Sequence, residues 1–103
     1  MEFITKGPFK DNIYNLMREI GYFFEGEEKA KGELSFARPL KGYPRFHLFL
    51  RQKPETNEII FDLHLDQKRT SYNGATPHSG EYGGETVAKE TERIKGLLNN
   101  GQN

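Results

Sequence analysis

The sequence predicts an α+β domain: a three-stranded antiparallel meander sheet with two helices packed on one face, in the order α-β-β-β-α. Three observations predict it. Apolar residues recur at steps of three and four near both ends of the chain. Between them lie three segments that alternate apolar and polar residues. The connections carry Gly, Pro and Asn, which favour turns.

The first helix is expected over about 9–24. Ile13, Leu16, Ile20 and Phe23 form its stripe, and Met17 and Phe24 widen it. Pro8 stands where a helix can begin, and Asp11 suits a first turn, where a carboxylate meets the positive end of the helix dipole. Gly21 weakens the last turn. The stretch "EGEEKAKGE" reads as a solvated connection. Strands are expected over 33–40, 43–51 and 58–66. "LKGY" signals a tight hairpin and "QKPETN" a longer one, with Pro39 and Pro44 near strand ends, where a missing donor does least harm. A polar loop is expected over 67–84 and a second helix over about 85–98. Val87, Thr91, Ile94 and Leu97 make its stripe, with Ala88 and Leu98 beside it. Residues 99–103 read as a frayed tail.

With 103 residues and 34% hydrophobic content, the chain has material for one core and one domain. Lys plus Arg and Asp plus Glu number 15 each, so the net charge is zero. That argues against coating nucleic acid by bulk charge, but not against a local basic patch. The absence of cysteine excludes disulfides and thiolate metal sites. No apolar run approaches the length of a membrane span, and "MEFITKGPFKDN" lacks the apolar stretch of a signal peptide, so a cytoplasmic protein with no membrane partner is expected.

Strand alternation decides which side chains share a face. Phe46, Leu48 and Leu50 point one way, and Ile59, Phe61, Leu63 and Leu65 join them under the helices. The opposite face then carries Arg45, His47, Phe49 and Arg51 from one strand, and Ile60, Asp62, His64 and Asp66 from the next. Two registers keep these faces together. Pairing Arg51 with Glu58 sets His47 against Asp62 and Arg45 against His64. Pairing Lys53 with Glu58 sets His47 against His64 and Arg45 against Asp66. A one-residue slip would bury charge. The plain account of this face is a half-solvated sheet with complementary charges. The sharper account is a site, because a carboxylate orients an imidazole and raises its pKa.

After Asp66 comes "QKRTSYNGATPHSGEYGG". So long a loop in a compact domain is often functional. Lys68, Arg69, Tyr72, His78 and Glu81 supply its chemistry. The loop leaves the third strand beside His64 and Asp66, so folding back would bring His78 near His47 and His64.

Three functions compete. The first is a binding domain that uses the polar face and the loop to hold a nucleic acid, an anionic ligand or a protein partner. Arg45, Lys68 and Arg69 would meet phosphates, and Tyr72 would stack on bases. The helix-strand-strand-strand-helix order is similar to that of double-stranded-RNA-binding domains; the likeness covers order only, and fold order does not fix function. Those domains open the last helix with a lysine cluster, where this chain has "GGETVAKE" with Lys89 alone. The second is a small hydrolase. His47, His64, Asp66 and His78 would bind a divalent metal, with Asp62 or Glu81 orienting a histidine or acting as base. A metal-free form would use a His47–Asp62 pair, with Arg45 holding an anionic substrate. The third is a homodimer paired through the exposed sheet face, favoured by Phe49 and Ile60 among the charges, with Phe36 or Leu34 added by one register of the first strand.

Overall fold

A computed structural model describes residues 1–67, 80–81 and 84–100 of the chain. The chain begins with a strand, β1 (Glu2–Lys6), followed by α1 (Ile13–Glu19), then β2 (Phe23–Glu28), β3 (Glu33–Arg38), β4 (Arg45–Lys53) and β5 (Glu58–Asp66). A two-residue strand, β6 (Gly80–Glu81), precedes α2 (Glu85–Asn100). The main sheet is five-stranded and antiparallel in the order β1-β5-β4-β3-β2, and β6 pairs with the end of β5 at Leu65 and Asp66.

The α+β class and the two helices agree with the sequence reading; the three-stranded sheet does not. β1 lies ahead of the expected first helix, where no element was expected, and β2 lies in residues read as a helix end and a connection. The order is therefore not α-β-β-β-α, and the likeness to double-stranded-RNA-binding domains loses its basis.

Local chemistry explains both misreadings. Asn12 caps α1, its side chain accepting from the Asn15 amide at 2.9 Å, so the helix begins at Ile13 rather than near residue 9. At the other end Gly21 adopts φ +97°, which favours glycine. The Gly21 amide donates to the Arg18 carbonyl at 3.0 Å and the Tyr22 amide to the Met17 carbonyl at 2.8 Å. That pair of bonds is a Schellman stop. The helical stripe therefore ends at Ile20. Phe23 and Phe24 lie on β2, 42% and 47% exposed. β1 is short, but its alternation is clean: Phe3 and Thr5 face inward, and Glu2, Ile4 and Lys6 outward.

The remaining bounds shift little. β3 stops at Arg38, before Pro39; β4 runs from Arg45 to Lys53; β5 keeps the expected 58–66. α2 continues to Asn100, two residues past its expected end, and residues 101–103 of the expected tail lie outside the described residues.

Buried residues from both helices meet one face of the sheet. Ile13, Leu16, Met17 and Ile20 come from α1 and the residue after it, and Val87, Ile94 and Leu98 from α2. Leu34, Phe36, Leu48, Leu50, Ile59, Phe61, Leu63 and Leu65 meet them from the strands, with Phe46 partly buried against them. Leu34 and Phe36 thus belong to the core, not to the open face. On α2, Leu98 is buried where the stripe had predicted Leu97, which is 41% exposed. Among the described residues, no helix is long and apolar enough to cross a membrane.

Candidate functional site

The register is the second of the two expected. Lys53 pairs with Glu58, His47 with His64 and Arg45 with Asp66. Both imidazoles are therefore cross-strand neighbours on the face away from the helices. Phe49 connects them: its ring centroid is 4.4 Å from that of His47 and 5.4 Å, edge-on, from that of His64.

Polar contacts tie this row together. Arg45 Nη1 donates to Glu25 Oε2 at 3.0 Å, and Arg45 Nε lies 3.8 Å from Asp66 Oδ2. His47 Nδ1 lies 3.5 Å from Asp66 Oδ2. His47 Nε2 is 2.8 Å from Ser35 Oγ and 3.5 Å from Glu25 Oε1. His64 Nε2 lies 3.3 Å from Asp62 Oδ2, and the Met1 amino group is 3.4 Å from Asp62 Oδ1. The side chains of Arg45, His47 and His64 are only 17%, 21% and 16% exposed. This is a half-buried cluster, not a fringe of solvated charges.

Burial pushes the His47 imidazole below its ordinary value of 6.5. The Asp66 and Glu25 carboxylates pull the other way, while Arg45 and His64 reinforce burial. His47 is therefore mainly neutral at pH 7, and its contacts with the carboxylates are polar contacts rather than full ion pairs.

Two of these residues escaped the sequence reading. Ser35 alternates with core Leu34 and Phe36, so strand parity was a usable signal for it. Glu25 had no such signal. The β2–β3 register shifts between Phe24 and Gly26, and this bulge accompanies the turn of the Glu25 carboxylate toward Arg45 and His47.

Of the residues the sequence singled out, Arg45, His47, Asp62, His64 and Asp66 share this patch. The backbone of Glu81 pairs with Leu65 on the side of β5 opposite β4. Lys68, Arg69, Tyr72 and His78 lie outside the described residues, and with them the expected convergence of three histidines. Among the described residues, no three His, Asp or Glu side chains are grouped to hold a metal ion.

Among the described residues, acidic groups outnumber basic ones on the open face. Pairing and alternation place Glu2, Glu25, Glu28, Glu33, Glu58, Asp62 and Asp66 on it, against Lys6, Arg45, Arg51 and Lys53. A cavity of about 490 Å³, lined by residues that include Phe46, Leu65 and Arg38, opens on the helix side instead. Set against known proteins, the chain matches no protein-family model, no curated protein and no solved structure.

Proposed function

We propose that this chain is a protein-binding domain that takes a basic segment of a partner on its open sheet face. The observation that carries this reading is the charge of that face: among the described residues, seven carboxylates share it with four basic side chains and the Met1 amino group. Arg45, the side chain best placed to meet a phosphate, is already held by Glu25 and Asp66. An acidic surface attracts lysine and arginine and repels a phosphate backbone. Ile4, 54% exposed, and the partly exposed Phe49 and Ile60 add apolar contact among the charges. The same charge disfavours two copies of the face meeting each other, since like charges across an interface are costly.

The test is an amide NMR titration of the labelled protein. One probe is a short peptide alternating lysine and isoleucine, and the other is an oligouridylate. The lysine peptide is expected to shift amide signals of 45–51 and 60–66, with the shifts shrinking as salt is raised. Stronger shifts of the same signals by oligouridylate, or none by the peptide, would overturn the reading.

A further inference from the structure

We propose that Ser35, His47 and Asp66 form a nucleophilic triad for hydrolysis of carboxylic esters. The three side chains come from adjacent strands, β3, β4 and β5. Ser35 Oγ lies 2.8 Å from His47 Nε2, within reach for a proton to pass. Asp66 Oδ2 lies 3.5 Å from Nδ1, the other ring nitrogen. Nucleophile on one nitrogen and carboxylate on the other is the arrangement by which such triads are recognised on unrelated folds.

The surroundings fit each role. His47 is a base only when neutral, and its burial on the sheet favours that form. Once it takes a proton, Asp66 at Nδ1 and Glu25, 3.5 Å from Nε2, both stabilise the imidazolium. An ester suits this site better than an amide. The face is an open sheet, and an ester's leaving alkoxide demands less assistance than an amine.

In the first step Ser35 Oγ bonds to the carbonyl carbon and its proton passes to His47 Nε2. Collapse of the tetrahedral intermediate breaks the bond to the leaving alkoxide, which takes that proton. Water then repeats the sequence on the acyl-serine: His47 accepts its proton, the acid leaves, and Ser35 regains its hydrogen. Ser35 and His47 are the catalytic residues, and Asp66 is a positioning residue.

The test uses the intact wild-type chain and a fluorophosphonate probe, which phosphonylates serine only where the hydroxyl is activated. Intact mass and peptide mapping are expected to show one adduct, on Ser35, absent from Ser35→Ala. His47→Gln is expected to slow labelling by about a hundredfold or more. The labelling rate should rise with deprotonation of His47, with a midpoint set first by burial and then by Asp66, Glu25, Arg45 and His64. Asp66→Asn should move that midpoint lower, because Asp66 pulls the pKa of His47 upward. No adduct on the folded wild-type protein, an adduct elsewhere, or His47→Gln labelling at the wild-type rate would overturn the proposal. Peptide binding is read separately from amide shifts, so either reading can fail without the other.

Discussion

Tyr22 Oη donates a 2.7 Å hydrogen bond to Glu90 Oε2, both residues being buried. Arg93 reaches the same carboxylate with Nε and Nη2 at 2.8 Å each, and Arg38 Nη1 lies 3.2 Å from it. Arg93 Nη2 also donates to the Ile20 carbonyl at 2.8 Å, at the end of α1. One carboxylate on α2 is thus tied to the stop of the first helix and to β3.

Tyr22→Phe is expected to destabilise the fold by about 1–3 kcal/mol, since it removes a buried hydrogen bond to a charged group. Glu90→Gln should cost more, about 3 kcal/mol, because two arginines lose their anion. Urea unfolding of both variants checks the size and the order. Unchanged midpoints would mean that the network contributes nothing to stability.

Burial alone would raise the pKa of Glu90, but hydrogen bonds from Arg93 and Tyr22 and the charges of Arg93 and Arg38 outweigh it and hold the carboxyl below its ordinary value of 4.5. The folded pKa thus lies below the unfolded one. This stabilisation is complete above the unfolded value and is lost as pH falls through the folded one. Stability followed into the acid range should decline there in the wild type and decline less in Glu90→Gln.

His47 acts in a different window. Its folded pKa is lowered, so between that value and 6.5 the unfolded chain holds the extra proton. Stability therefore rises with pH through that window and is lost as pH falls from 6.5. An NMR titration of the imidazole is expected to give a midpoint below 6.5. Glu25→Gln should lower it further, because Glu25 pulls the pKa upward. A midpoint at or above 6.5 would show that the two carboxylates, not burial, dominate.

Gly21→Ala is expected to cost about 1–3 kcal/mol, the usual strain of a side chain held in a sparsely populated backbone region. The backbone stands at φ +97°, and the new Cβ would meet Arg38 Nε at 3.2 Å and Cδ at 3.3 Å. Thermal unfolding checks it. The displaced arginine is one that holds Glu90, so Gly21→Ala and Glu90→Gln together should cost less than the sum of their separate effects.

Much of the fold was legible because it is written in periodicity. β5 alternates over its whole length, from Ile59 to Leu65, and its bounds matched. The same parity sorted Arg45, His47, Asp62, His64 and Asp66 onto one face. β2 was illegible for the opposite reason. Apart from Gly26 its residues are exposed on both sides, so "FFEGEE" carries no alternation. The stripe of α1 also appeared to run on through Phe23, because only the left-handed conformation at Gly21 shows where the helix stops.

The sequence by itself determined the class, the number of helices, the core residues of β4 and β5, and the face on which the histidines stand. These follow from local periodicity, since neighbours along the chain already decide which side chains are buried together. Tertiary structure alone decided that His47 faces His64, that β1 closes one side of the sheet, and that Glu25 and Ser35 join the cluster. Those relations join segments far apart in the chain, or depend on one bulged residue, and they are set by which strands pair and in what register.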